Sequence, residues 1–486
     1  MKKFTLLSLS VLFFQIISFG QSVPIQLLKE NPHYFEFKGK PIALITSAEH
    51  YGAVLNGDFD YKTYLETLHR EGMNYTRIFM GSYFEIPSTS FGIKFNTLAP
   101  AVGKAITPWK SLEVNGQIKY DWNSYNPAYF KRLSDFMSLA ASFDIIVEVT
   151  LFSSIYTDEH WEMNPQNPKN RIGSEGELDR KLAHTKENGQ LLGLQKAYVR
   201  KLVNELNDFD NFFFEIQNEP WSDRGQPILN IANKYQIDGP NWMEKVDYAD
   251  QLSLDWHEEI ATTIVTEEKD LPKKHLIAQN YSNFKAPLYE VSEHISIVNF
   301  HYNWPESADW NLHLNRVVGF DESGFAGTED LVYRRQAWAF MLAGGGLYNN
   351  LDYSFFAGKE NGTGINEAPG GGSTSFRSQL KILSELIHSL NLKKVSPAKN
   401  LIHGSPGILS FALQDGSGGY LIYLVEAGKA NSRIKMTIEP GSYSIQLISP
   451  ITGEIKDLGV QQISVPDFIL AVNLIEGEQA IRMIKH

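Results

Sequence analysis

The sequence predicts an α/β protein: a (β/α)8 TIM barrel with a C-terminal all-β sandwich domain. Three observations predict it. Apolar runs rich in β-branched and aromatic residues alternate with helical patterns through roughly 350 residues, the length of a barrel with long loops. Several runs stop abruptly at polar residues, most sharply in Phe212-Phe213-Phe214-Glu215-Ile216-Gln217-Asn218-Glu219-Pro220-Trp221. From about Ser396 the texture changes to short alternating strands broken by Gly, Asp and Pro.

At the N-terminus, Met1-Lys2-Lys3, the apolar run Phe4 to Phe19 and the small-residue site Ser18-Phe19-Gly20 have the three regions of a secretory signal peptide. Residues 1–20 are therefore expected to be removed. The chain contains no cysteine, which excludes disulfides, a thiolate zinc site, a lipid-anchored cysteine and a cysteine nucleophile. An exported chain without disulfides points to the bacterial periplasm or to secretion from bacteria. The formal charge of -12 gives none of the basic surface that nucleic acid demands. No cofactor and no membrane partner after signal cleavage are expected, and the oligomeric state is left open.

Residues 21–395 hold the predicted barrel, entered through a short hairpin at Tyr34 to Pro41. The strand Ile42 to Thr46 ends in Ser47-Ala48-Glu49-His50-Tyr51, and a helix at Asp60 to Glu71 is stopped by Gly72. The strand Asn74 to Met80 leads into a long aromatic loop reaching Pro127, and loops of that length are usually functional. A helix at Ala128 to Ser142 precedes the strand Ile145 to Phe152, and one at Leu191 to Leu206 precedes the Phe212 strand. A helix from roughly Val246 to Glu268, a short helical segment near Leu288 and another at Asp309 to Leu314 separate the next strands. Those begin at His275, Ile295 and Arg316. Helices at Glu329 to Leu342 and Phe376 to Leu390 flank the eighth strand, Leu347 to Asp352. Residues 396–486 form the predicted sandwich, with strands at Ile408, Tyr420, Ile434 and Tyr443.

In a barrel, catalytic residues stand at the carboxyl ends of strands. Glu219 ends the fourth strand, after Asn218, and Glu322 ends the seventh, which lets two carboxyl groups face each other across one mouth. Splitting a glycosidic bond takes one acid to protonate the leaving oxygen and one carboxylate to attack or to activate water. On Asn218-Glu219-Pro220, Phe320-Asp321-Glu322 and Arg77, the chain resembles the clan-A glycoside hydrolases of the cellulase-like superfamily, over residues 30 to 395. That resemblance implies a carbohydrate substrate, Glu219 as acid/base, Glu322 as nucleophile and Arg77 holding the nucleophile ionised. It also implies His301 or Tyr302 beside the nucleophile. Asp321 leaves a second choice of nucleophile, with Glu322 preferred. The eighth strand lacks the Trp common in the clan and offers Tyr348, Asp352 and Tyr353.

Further candidates for sugar contacts are Glu49 and His50 after the first strand, Gln279 and Asn280 after the fifth, and the loop aromatics Trp221, Trp304, Tyr156, Trp161 and Tyr51. Glu148 interrupts the third strand and is expected to be paired, with Arg77 as a possible partner. His257-Glu258-Glu259 lacks the second histidine of a metalloprotease motif and reads as a solvated helix face. The expected function is a retaining hydrolase of a neutral poly- or oligosaccharide. Two alternatives stand beside it: a metal-assisted barrel hydrolase using His50, His301 and the carboxylates, and a non-catalytic glycan-binding barrel.

Overall fold

The computed structural model describes residues 23–87, 89–228, 246–365, 368–428 and 433–486. The expected signal peptide, 1–20, lies outside the described residues.

Eight parallel strands form the barrel: β1 (Leu44–Ala48), β2 (Tyr75–Phe79), β3 (Ile146–Ser153), β4 (Phe212–Asn218), β5 (Ile277–Asn283), β6 (Ile297–His301), β7 (Val317–Ser323) and β8 (Leu347–Leu351). Their ladder runs β1-β8-β7-β6-β5-β4-β3-β2. Among the described residues β1 and β2 share no ladder. Asn74 bridges them instead, its side chain donating to Ala43 O (2.8 Å) and accepting from Ile45 N (2.9 Å), and Phe79 N donates to Tyr51 O (3.0 Å).

The helices are α1 (Tyr61–Glu71), α2 (Pro127–Ser142), α3 (Leu191–Leu206), α4 (Gln251–Glu268), α5 (Pro305–Asn311), α6 (Asp330–Leu342) and α7 (Thr374–His388). Their ends follow local chemistry. Asp60 caps α1, Gly72 ends it in a left-handed turn, Asn126 caps α2 with Pro127 in its first turn, and Ser373 caps α7. Two expectations need correcting. The segment near Leu288 is not helical, and the Val246 stretch is a short strand, Val246–Ala249, that precedes α4. The long loop after β2 contains a hairpin, Trp109–Val114 with Gln117–Tyr125.

Inside the barrel the side chains are layered. Leu44, Tyr75, Ile146, Phe213, Ala278, Ile297, Val317 and Leu347, one from each strand, form an apolar floor with Phe35 and Phe37 of the N-terminal hairpin. Above it lies a buried polar layer that includes Arg77, Glu148, Glu215, Asn280 and Asn299. Gly319 makes room in that layer, because a Cβ there would stand 2.2 Å from Asn299 Oδ1.

The C-terminal strands form a six-stranded antiparallel sheet, Ser396–Pro397 through Ile455–Ile463, and a three-stranded one of Ile402–Gly404, Arg433–Thr437 and Asp467–Ala471. A second core lies between them. The larger sheet packs on α6: Trp338 stacks on Tyr423 (5.1 Å), and Arg334 forks onto the buried Glu478 (3.0 and 2.7 Å).

Candidate active site

Glu219 follows the last residue of β4 in a left-handed conformation, φ 50°, ψ 51°, immediately before Pro220. The residue before a proline favours extended backbone, so this is a strained position of the kind that clusters at functional sites. A short helix, Pro220–Asp223, starts there, but the Glu219 side chain caps none of its N–H groups. The carboxylate is turned into the barrel mouth. Ser154 Oγ donates to its carbonyl, and its own N–H donates to Asn280 Oδ1 (3.1 Å).

Four donors meet that carboxylate and its neighbour. Tyr156 Oη donates to Glu219 Oε2 (2.7 Å) and accepts from Asn218 Nδ2 (2.8 Å). His301 Nδ1 is 2.9 Å from Glu219 Oε1 and 3.6 Å from Glu322 Oε2. Tyr302 Oη donates to Glu322 Oε1 (2.7 Å), while Arg77 Nη1 donates to Glu322 Oε2 (3.2 Å). Oxygens of Glu219 and Glu322 and a ring nitrogen of His301 all lie within 4.8 Å of one another.

Arg77 is wholly buried beneath them. It also donates through Nε to Glu215 Oε2 (2.9 Å) and through Nη2 to Asn218 Oδ1 (2.9 Å), and its guanidinium lies 4.7 Å from the Tyr51 ring centre. Asp321 is fully buried in this lower layer, 3.4 Å from Arg77 Nη2, whereas Glu322 lines the cavity.

Burial raises Glu322 above the ordinary glutamate range against the pull of His301 and Arg77. Burial acts the same way on Glu219 but is outweighed by the hydrogen bond and charge of His301 and by Tyr156, leaving Glu219 below its ordinary range. His301 gains from the Glu322 and Asp321 charges more than burial removes, so it holds its proton well above the usual histidine range. Asp321 is held down at about 2: burial opposes this, and His301 and Arg77 prevail.

The cavity at the mouth is lined by His50, Tyr51, Phe79, Glu85, Phe91, Leu98, Tyr156, Asn218, Glu219, Tyr302, Glu322 and Phe325. Trp221 packs edge-on against His301 (5.4 Å). Trp304 is 41% exposed at the start of α5, with the Lys285 ammonium 5.6 Å from its ring, and is not among the lining residues.

Two further candidates land elsewhere. Glu49 is fully buried, its oxygens accepting from Gly52 N, Ala53 N and Thr97 Oγ1, so it shapes the loop that carries His50. Gln279 turns outward to His257 Nδ1 (2.8 Å), while its neighbour Asn280 takes the inward position. His257 is itself a correction: it is buried against Gln217 Oε1 (2.9 Å), and burial holds it neutral, down at about 3. Glu148 lies 3.8 Å from Arg77 but bonds Tyr75 and Asn299, and burial among acids raises it well above the glutamate range.

Glu85 is a cavity carboxylate that sequence reasoning missed, since it sits inside a long loop with no strand end to mark it. Tyr156 is expected from sequence as a stacking ring, whereas the structure gives its hydroxyl to Glu219.

Glu219, His301 and Glu322 have the donor types of a metal site, as do Glu148, Glu215 and Asp321. Both sets already receive N–H or O–H donors, and a guanidinium reaches both, so positive charge is supplied without an ion.

No protein-family model matches this sequence, and no curated protein sequence is similar to it. Solved structures are. One is described as a glycoside hydrolase, 12% identical with a TM-score of 0.61, the match covering 95% of this chain and 97% of that one. Another is a glycoside hydrolase family 5 protein of Bacteroides vulgatus ATCC 8482, 13% identical with a TM-score of 0.61, covering 95% and 92%. The likeness is one of fold: a (β/α)8 barrel joined to a C-terminal β-sandwich. Among the described residues no helix is long and apolar enough to cross a membrane.

Proposed function

We propose that this chain is a retaining glycoside hydrolase that cleaves O-glycosidic bonds of a neutral poly- or oligosaccharide by double displacement. The observation that carries the reading is the pair Glu219 and Glu322, with oxygens within 4.8 Å across one cavity and different donors on each. Carboxyl groups about 5–5.5 Å apart suit a covalent intermediate, whereas inversion needs roughly 6.5–9.5 Å for a water.

Glu322, steadied by Arg77 and Tyr302, attacks the anomeric carbon as the bond to the leaving oxygen breaks. Glu219 gives that oxygen a proton. Water then attacks the glycosyl ester as Glu219 takes its proton, and Glu322 is released ionised. His301, beside the Glu322 and Asp321 charges, favours keeping its proton, and Glu219, bonded by His301 and Tyr156, favours its ionised form. The working form has the same number of protons, with one moved along the 2.9 Å bond from Nδ1 to Glu219 Oε1. A leaving oxygen arriving at Glu219 draws it across.

In this reading residues 21–395 are the catalytic unit, 396–486 an accessory sandwich, and the Met1 to Gly20 segment sends the protein out of the cytoplasm. NMR of the first-formed anomer tests the mechanism: retention is expected, and inversion defeats the double displacement. Chelator-resistant activity separates it from a metal-assisted hydrolase. Glycan binding without turnover would favour a non-catalytic barrel.

A further inference from the structure

Beside the catalytic cavity lies a larger one that the proposed chemistry does not use. It holds about 640 Å³, within the roughly 300–1,000 Å³ of ligand pockets, and Glu85 lines both cavities. Its walls come from the hairpin in the loop after β2, with Ile118 and Lys119, and from the loop after β3, with Met163 and Arg171. The second of these loops is held in one shape from within. Asn167 Nδ2 donates to Trp161 O (2.9 Å), and Asn170 Nδ2 donates to Glu162 O (2.7 Å) and Asn164 O (3.0 Å). The hairpin locks onto it: Trp122 Nε1 donates to Pro165 O (2.9 Å), and Ile172 N donates to Tyr120 O (2.9 Å). The pocket is thus formed before a ligand arrives.

Arg171 is the odd member of its wall. It lines the pocket but is only 8% exposed, and its Nε is buried and, among the described residues, has no hydrogen-bond partner. Burial alone acts on the guanidinium, pushing it down from its ordinary value, with no neighbouring carboxylate to offset it. The charged groups around it are already engaged. Lys119 Nζ donates to Lys169 O, and Lys169 Nζ lies 3.8 Å from Glu162 Oε1 and 3.8 Å from Glu177 Oε1. Glu85 accepts from Tyr83 Oη (3.3 Å) and Asn96 Nδ2 and lies 3.4 Å from His50 Nε2. Buried polar atoms are nearly always bonded and a buried charge is costly alone, so a guanidinium left open to a cavity points to a ligand that brings oxygen acceptors. The lining sets Lys119, Lys169 and Arg171 against Glu85, Glu162 and Glu175, which gives no net charge and no preference for an anion. Ile118 and Met163 add exposed apolar surface for the face of a sugar ring.

Resting on the hydrolase reading above, we propose that this pocket is a distal sugar subsite: a neutral glycan held at Glu219 and Glu322 runs on past Glu85, and Arg171 donates to oxygens of a sugar unit further along the chain. The enzyme then recognises more of its substrate than the two sugars at the cleaved bond. Chains long enough to reach Arg171 are its preferred substrates.

Arg171→Gln in the mature full chain tests this, on hexasaccharides of mannan, glucan, xylan and galactan beside aryl glycosides of the same single sugars. KM for the hexasaccharide that is cut should rise about tenfold, as for a lost hydrogen bond to a charged group, with the aryl glycoside kinetics unchanged. Equal losses on both substrates, or no loss on either, overturn the proposal while leaving the hydrolase reading intact. Since no protein group pairs with this guanidinium, the melting temperature of the variant should hold. A collapse would make Arg171 a structural residue and overturn the subsite. Xylan hexasaccharides with uronic acid branches supply a further arm, and a more than tenfold preference for them overturns the assignment to a neutral sugar. If no glycan is cut, the hydrolase reading fails, and calorimetry with the same hexasaccharides still decides the pocket. Binding weakened about tenfold by Arg171→Gln supports it, and unchanged affinity or no binding overturns it.

Discussion

Glu148, Glu215 and Asp321 lie one layer below Glu219, His301 and Glu322, and in each trio the polar atoms come within 4.8 Å of one another. Arg77 touches both. The lower trio is sealed: every one of its side chains is fully buried, and Tyr75, Thr150, Asn280 and Asn299 supply its hydrogen bonds. The upper trio has similar chemistry, but its two glutamates face a cavity. Access to a ligand, and not acid content, separates a reactive cluster from a structural one, and the lower cluster fixes the guanidinium on which the upper one depends.

Substitutions can break or sharpen that contrast. The largest effect belongs to Glu322→Ala, which should lower kcat by at least about 10⁴-fold with an unchanged melting temperature, partly rescued by azide. Glu219→Ala should lose about 10²- to 10⁴-fold on ordinary glycosides and far less on substrates with very good leaving groups. A melting-temperature collapse in either variant would place the upper pair with the structural layer.

Arg77→Lys touches both trios. Sequence alone suggests a loss of activity, but the three acceptors Glu215, Glu322 and Asn218 predict a stability loss as well, about 3 kcal/mol by urea denaturation, because a buried charge network is broken. Full stability in the lysine variant would dissolve the link between layers.

Tyr302→Phe should cut kcat/KM by about tenfold and move the acid limb of its pH profile upward. The sign follows from the bond: Tyr302 donates to Glu322 and stabilises its ionised form, so losing the donor raises a carboxyl that burial has already raised. A limb that stays put would remove Tyr302 from control of the nucleophile.

Smallest is Glu148→Gln, expected to change stability by under about 1 kcal/mol at acid pH, below the unfolded glutamate range, where the carboxyl is protonated in both states and the amide resembles it, with the variant gaining on the native protein as pH rises. Its raised native pKa means that the unfolded chain releases a proton the folded one keeps. That contribution to stability is complete below the unfolded value and declines as pH rises through the folded one. The variant should flatten this decline, which denaturation at a series of pH values would reveal.

Much of the barrel was legible because period-two and helical patterns alternate cleanly, and α3 begins and ends at the residues expected. Side-chain direction at strand ends was harder to read. Strict alternation would send Gln217 inward after Phe213 and Glu215, yet it bonds His257 of α4, and Asn218 takes the inward place at Arg77. The same uncertainty misplaced Gln279 relative to Asn280. The place of Glu85 in the cavity depends on two loops meeting across the β1 and β2 ends, a contact that carries no sequence period.

The gap between β1 and β2 gives those loops another task. Among the described residues each of the two strands has a ladder partner on one side only, so the barrel should breathe at this line first, and amide hydrogen exchange in Tyr75–Phe79 should outpace that in β6 and β7. The loops after β1 and β2 are joined by backbone bonds, Gly57 N to Lys104 O and Ile106 N to Leu55 O (both 2.8 Å), and lie across the gap like a clasp. Loosening the clasp, for example by Arg132→Ala, which removes the donor to the carbonyls of Ala53, Val54, Asn56 and Phe59, should therefore register as faster exchange at the strands beneath.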